Sequence, residues 1–173
     1  MSQINCNIMK IGLMSDTYSF LDTKVFEYFK EVDEIWHAGD IGTEGVAEAL
    51  EKFKPLRAVF GNIDNQEIRH RFPENMRWNA HGLEVFMTHI GGYPGKYPAR
   101  IKEELKATKP DLFICGHSHI LKIMPDKQLN LIHINPGACG NEGWHKVKTL
   151  VRFDIENGKI QNLEVIELGL RGK

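Results

Sequence analysis

Ile8-Met9-Lys10-Ile11-Gly12-Leu13-Met14 is a short apolar run that stops at Ser15-Asp16. A run of that length, closed by small polar residues, reads as a buried strand entering a loop. A helical pattern follows from Asp22 to Lys30, with Val25, Phe26 and Phe29 on one face and Val32 continuing it. Glu34-Ile35-Trp36-His37 is a second strand, stopped by Ala38-Gly39-Asp40. Thr43 can cap a helix through Phe53 with Val46, Ala49, Leu50 and Phe53 inward, and Pro55 ends it. Leu56 to Phe60 is a third strand, closed by Gly61-Asn62. Strand, helix, strand, helix, strand predicts a parallel sheet with helices packed on it.

The rest of the chain changes character. Met76–Ala80 and Leu83–Thr88 flank a turn at Asn79-Ala80-His81-Gly82. A Gly- and Pro-rich loop, Gly91 to Pro98, leads into a helix to Ala107 with Pro98 in its first turn. Asp111–Cys115 is another apolar strand. Ile120–Met124 and Leu129–Ile134 bracket Pro125-Asp126-Lys127-Gln128 as one hairpin, and Thr149–Ile155 and Ile160–Ile166 bracket Glu156-Asn157-Gly158-Lys159 as another. Parallel βα units followed by hairpins predict an α/β fold of two sheets face to face with helices outside.

The 173 residues suit one domain of roughly 100–200 residues, expected over 1–173 with 1–7 as a short flexible N-terminus. Hydrophobic residues at 42% and charged residues at 26% exclude a disordered chain. Twenty-two Lys and Arg against 23 Asp and Glu leave a formal charge of -1, so no basic field gathers long nucleic acid. Cys6, Cys115 and Cys139 form no disulfide framework or CxxC pair and suit a reducing compartment. Residues 1–7 hold no apolar run fit for a signal peptide, and no stretch approaches the ~18 apolar residues of a membrane span. The expected location is cytoplasmic.

The informative pattern is where polar residues fall. The strands end in Ser15-Asp16, His37-Ala38-Gly39-Asp40, Gly61-Asn62-Ile63-Asp64, Thr88-His89 and Cys115-Gly116-His117-Ser118-His119. Ligands of open α/β sheets bind beyond the carboxyl ends of the strands. Two carboxylates, an amide oxygen and three imidazoles would converge there, and His-x-His on an extended strand would aim both rings to one side. A mixed N/O set without thiolate suits Mn²⁺, Fe, Zn²⁺ or Ni²⁺. Six donors exceed one tetrahedral zinc site and are better shared by two metals with a bridging carboxylate.

In order and spacing these segments, with Asn135-Pro136-Gly137 near the end, resemble the calcineurin-like metallophosphoesterases. The likeness is to their small bacterial and archaeal phosphodiesterase branch, to which the retromer scaffold subunit also belongs. It runs from Lys10 to Ile166 and implies a four-layer αββα sandwich of two mixed sheets and a dinuclear centre. Position by position, it implies Asp16 and His119 on the first metal, Asp40 as the bridge, and Asn62, His89 and His117 on the second. Asn62 and His89 would also orient and polarise the phosphoryl group. The chemistry implied is hydrolysis of a small phosphate ester, most fittingly a diester, by a hydroxide bridging two divalent ions, manganese first among the candidates.

Two positions depart from the pattern. The family's first motif reads Asp-x-His, whereas Asp16-Thr17-Tyr18 stands here. Tyr18 is either a weak replacement ligand, with an unperturbed pKa of ~10, or an aromatic packed over the first-metal position. Ile63 stands where monoesterases place a proton-donating His, as is common in the small branch. The alternative is the same fold with a weakened site serving as a protein-binding scaffold. Asp64 is expected to orient a ligand histidine, and His37 and His145 to lie behind the ligands. Lys96 or Arg100 could reach an anionic substrate from the Gly91–Pro98 side, while Arg69-His70-Arg71 reads as a solvated basic patch. A homo-oligomer is left open, and no membrane partner is expected.

Overall fold

The structure is a computed structural model and describes residues 8–172. The flexible stretch expected at 1–7, with Cys6, lies outside the described residues.

The chain runs β1 (Met9–Met14), α1 (Lys24–Tyr28), β2 (Glu34–His37), α2 (Glu44–Phe53), β3 (Leu56–Ala58), α3 (Gln66–Arg71), β4 (Asn75–Ala80), β5 (Leu83–Thr88), α4 (Ala99–Thr108), β6 (Leu112–Ile114), β7 (Leu121–Asp126), β8 (Leu131–Pro136), β9 (Val147–Glu156) and β10 (Lys159–Leu170). Two five-stranded mixed sheets result, in the orders β10-β9-β1-β2-β3 and β4-β5-β6-β8-β7. β1, β2 and β3 are parallel to one another, as are β5, β6 and β8. β9 and β10 extend the first sheet antiparallel, and β4 and β7 form the antiparallel edges of the second.

Strand alternation builds the layers. Ile11, Leu13, Trp36, Val151 and Phe153 of the first sheet face Val85, Met87, Leu112, Ile114 and Ile134 of the second in one buried cluster. The opposite face of the first sheet carries Met14 and Ile35, covered by Val25 of α1, Leu50 of α2 and Ile68 of α3. Phe86 and Phe113 on the outer face of the second sheet are covered by Ile101 and Leu105 of α4. Gly12 sits where a Cβ would fall 2.8 Å from the Phe29 ring, so the glycine lets this aromatic close on β1.

The turns follow their chemistry. His81-Gly82 and Asn157-Gly158 both have positive φ and close the two-residue hairpins β4–β5 and β9–β10. Elsewhere the sequence reading is corrected. The β7–β8 turn is Lys127–Asn130, because β7 continues through Pro125. Proline is tolerated there since β7 is an edge strand with no ladder partner on one side. The run 69–71 belongs to the unforeseen helix α3, whose cap is Asn65, its side-chain oxygen accepting from the Ile68 N–H at 3.1 Å. Thr43 occupies the start of α2 but makes no side-chain cap bond. No helix among the described residues is long and apolar enough to cross a membrane.

Candidate metal centre

The carboxyl ends of β1, β2, β3, β5 and β6 come to one edge, where their loops are tied by backbone hydrogen bonds. Asp16 N–H donates to Gly39 O at 3.0 Å, Tyr18 N–H to Asp40 O at 3.1 Å, and Gly116 N–H to His89 O at 3.0 Å. Asp16, Asp40, His117 and His119 all have φ between 55° and 68°. The left-handed conformation is unfavourable for non-glycine residues and collects at functional sites. This corrects the extended His-x-His expectation: Gly116–His119 is a tight loop between β6 and β7, and the two rings go to different partners.

Each carboxylate commits one oxygen inside the protein and leaves the other bare. Asp16 Oδ2 accepts from Ser15 Oγ at 2.6 Å and the His117 N–H at 3.2 Å. Its Oδ1, fully buried, receives no hydrogen bond although His119 Nε2 is 3.1 Å away. Asp40 Oδ1 accepts from the Ile63 N–H at 3.0 Å, while its buried Oδ2 receives none although His89 Nε2 is 3.1 Å away. Two buried, unsatisfied carboxylate oxygens facing imidazole nitrogens are costly unless a positive charge lies between them.

His89 gives the sharpest case. Its Nδ1 lies 2.8 Å from Ala38 O and can only donate there. Nε2 then meets Asp40 Oδ2 and Asn62 Oδ1, both at 3.1 Å. Three lone pairs meet at that point in a neutral histidine, so a proton or a cation must join them. Burial opposes charging His89, yet Asp40 and Asp16 outweigh it and hold its pKa above the ordinary value. Asp40, His89 and His117 bring ligand atoms within 4.8 Å of one another, and His117 is held toward its neutral form by burial and by His89. The donors therefore fit a divalent metal at the expected second position.

The first position is less complete. Asp16 and His119 pair, but no third carboxylate, imidazole or thiolate among the described residues joins them at comparable range. Tyr18 packs edge-on against His119 with ring centres 5.4 Å apart. Burial, then the neighbouring Asp40 carboxylate, pushes its phenol well above the usual pKa. Ile63 is exposed and offers no proton to a leaving group.

Asp64 does not orient a histidine: its two oxygens accept from the Gly42 and Gly61 N–H groups, each at 2.7 Å, pinning the Asp40 and Asn62 loops together. His37 is buried and neutral, its pKa pushed down to about 4 chiefly by burial. Its Nδ1 accepts from the Gly39 N–H, so Nε2 donates to Thr17 Oγ1 at 3.0 Å, and Thr17 donates to Ile41 O at 2.9 Å. His145 lies edge-on behind His119 and donates from Nε2 to Gly140 O at 2.9 Å. Arg69 turns inward. It stacks over Phe60 at 4.5 Å, and its donors go to the carbonyls of Asp64, Gly61 and Asn62 at 2.7–3.2 Å. No sequence signal separates Arg69 from an ordinary surface arginine. Of the two candidate cations beyond His89, Arg100 borders the same cleft as Asn62 and His89, whereas Lys96 Nζ lies 6.0 Å from the Tyr93 ring centre.

Known proteins share this plan. Residues 9–158 match the model of the calcineurin-like phosphoesterase superfamily domain. A probable metallophosphoesterase of Methanothermobacter thermautotrophicus is 30% identical over 142 residues, 75% of this chain and 77% of the relative. A phosphodiesterase of Methanocaldococcus jannaschii is 26% identical over 147 residues, 76% and 84% of the two chains. Among solved structures, an archaeal phosphodiesterase superposes with a TM-score of 0.74 at 24% identity, over 92% of this chain and all of the other. Vps29 of Chaetomium thermophilum superposes with a TM-score of 0.72 at 14% identity, over 94% and 99%. The strand-end donors, the two sheets that gather them and the match over residues 9–158 agree: the chain belongs to the calcineurin-like phosphoesterase superfamily.

Proposed function

We propose that the chain is a metal-dependent phosphodiesterase. Its assigned ligands are Asp16 and His119 for one divalent ion, Asp40 as the bridge, and Asn62, His89 and His117 for the other. The observation that carries this is the meeting of His89 Nε2, Asp40 Oδ2 and Asn62 Oδ1 with no donor among them except a proton on the histidine. Bound divalent metal, manganese before iron, zinc or nickel, would supply Lewis-acid charge to a phosphoryl oxygen and hydroxide from water near neutral pH.

The chain's own residues set the rest. Ala38 O fixes the His89 tautomer that leaves Nε2 as the inward lone pair. Asp64 and Arg69 hold the Gly61–Asp64 loop so that Asn62 Oδ1 points to His89. Exposed Ile63 favours esters whose leaving group departs unaided, because general-acid help worth roughly 10²–10⁴-fold is missing from that side chain. Diesters with an aryloxide leaving group meet that condition, and simple alkyl monoesters do not.

A second reading, a protein-binding scaffold, draws on Tyr18 packed edge-on against His119 at the first position and on the fold shared with Vps29. Metal analysis of chelator-free protein, with hydrolysis of bis(p-nitrophenyl) phosphate under added Mn²⁺ or Ni²⁺, separates the two. Turnover that Asp40→Asn abolishes in a folded protein supports the enzyme. Neither bound metal nor turnover supports the scaffold.

A further inference from the structure

A cleft of about 390 Å³ opens directly beside the candidate metal centre and shares Asn62 and His89 with it. That volume lies in the ~300–1,000 Å³ range of small-molecule sites. Phe60, Ile90, Pro98 and Ile101 give it apolar walls, and Ile90 is 46% exposed.

Several polar groups of the cleft already have partners within the protein. Arg69 spends Nε and Nη2 on the carbonyls of the Gly61–Asp64 loop. Arg100 pairs with Glu74 at 2.9 Å. Thr88 Oγ1 reaches Glu74 O at 3.5 Å. A sugar or glycerol substituent would gain little here over its contacts with water, because the walls are apolar and the polar groups at the rim already have partners. An apolar ring would lose nothing and would gain from leaving water. The Arg69 guanidinium, bonded to carbonyls and not to a carboxylate in those contacts, keeps the mouth favourable to the anion of a diester, while Glu74 offsets the Arg100 charge.

We infer that this cleft is the subsite for an uncharged, ring-sized apolar substituent of the phosphodiester, with Ile90 as its specificity-determining wall. The inference rests on the phosphodiesterase reading, because the phosphoryl group must sit at Asn62 and His89 for its substituent to enter.

The test uses inert probes and the full chain loaded with Mn²⁺ for affinities, or with diamagnetic Zn²⁺ for nuclear Overhauser contacts. Phenylphosphonate should bind at least tenfold more tightly than methylphosphonate, with contacts from its ring protons to the methyls of Ile90 and Ile101. Ile90→Asn, at a half-exposed position, should reduce the phenyl-to-methyl affinity ratio about fivefold. Ile90→Phe should preserve or raise that ratio, which a merely structural role for Ile90 would not do. Equal affinities for the two phosphonates, or ring contacts away from Ile90, would overturn the subsite while leaving the phosphoryl site standing. Binding of neither phosphonate, together with no hydrolysis of bis(p-nitrophenyl) phosphate, would overturn the phosphodiesterase reading and the subsite with it.

Discussion

Gly61→Ala adds a single methyl group at the tightest point between two ligand loops. Gly61 has no positive φ, so alanine meets no backbone objection. The obstacle is space. A Cβ there falls 2.7 Å from Asp40 Cγ and nearer still to Asp40 Oδ1 and the Asp40 amide nitrogen. Carbon atoms rest about 3.5–4.0 Å apart, so the loops must separate by roughly 1 Å. The Asp40 amide belongs to the backbone and cannot rotate away as a flexible side chain can. Overpacking of this kind costs ~1–3 kcal/mol, which at about 2–4 °C per kcal/mol lowers Tm by roughly 2–12 °C. The larger effect falls on function, because a misplacement of ~1 Å at a reacting centre costs ~10²-fold. Gly45→Ala is the control: it lies in α2 with nothing within 4 Å of its would-be Cβ. That change should gain a few tenths to ~1 kcal/mol from helix propensity and leave metal affinity alone. Competition with a fluorescent chelator reads the affinity, aryl diester hydrolysis the rate, and a melt the stability. A folded Gly61→Ala protein with affinity and rate within twofold of the parent would refute the reasoning, since the Asp40–Gly61 contact would then not govern the site.

Titration of metal into apoprotein should show two unequal steps, and Tyr18→His should tighten the weaker one; equal steps in the parent would contradict the incomplete first position. Buried His133 leaves both ring nitrogens without a hydrogen bond, beside Tyr97 and Phe113. Burial, then the Lys122 charge, lowers its pKa to about 4. Only the unfolded chain therefore takes up its proton between about pH 6.5 and 4, and stability falls through that window by up to ~1.4 kcal/mol per pH unit. His133→Phe should remove that share of the slope and stabilise the fold by ~1–3 kcal/mol, read by urea denaturation at pH 5 and 7. Lys148 Nζ, with a side chain 1% exposed, is 2.8 Å from Asp22 Oδ2. Burial opposes the Asp22 charge, but the Lys148 and Lys24 contacts outweigh it and lower its pKa. That contribution is present above the unfolded pKa of ~3.9 and lost as pH falls through the folded value. Asp22→Asn should cost on the order of 3 kcal/mol at pH 7 and flatten the acid limb of the stability curve.

The sequence exposes what depends on short-range pattern. Apolar runs locate the strands from β1 to β6, and Gly82 and Gly158 mark two hairpin turns, because side-chain periodicity and φ preference are local. Asp16, Asp40, Asn62, His89, His117 and His119 are legible as candidate donors because they cluster just after strands. The rest depends on tertiary context. Nothing in the residue types of Asp16, Asp40, His117 and His119 announces left-handed backbone, which the surrounding loops impose. Arg69 and Asp64 look like surface charges until the carbonyls and amides they serve are brought to them. Helix α3 is six residues long with Ile68 its one buried side chain, too little for a periodic signal. Pro125 marks a break in isolation and is an edge strand in context.

The donors of the candidate centre belong to different layers. Asp16, Asp40 and Asn62 follow strands of the first sheet, while His89 and His117 follow strands of the second. A cation held by Asp40, His89 and His117 would act as a rivet through the two halves of the sandwich. Unfolding would have to release the ion, so occupancy adds RT ln(1 + [M]/Kd) to global stability, about 4 kcal/mol at a thousandfold excess over Kd. The same rivet resists local opening at this edge, where the hydrophobic layer between the sheets gives way to polar loops. Loss of metal would then surface first as hydrogen exchange at Gly116 and His117, in the loop that carries the second sheet's share of the candidate ligands.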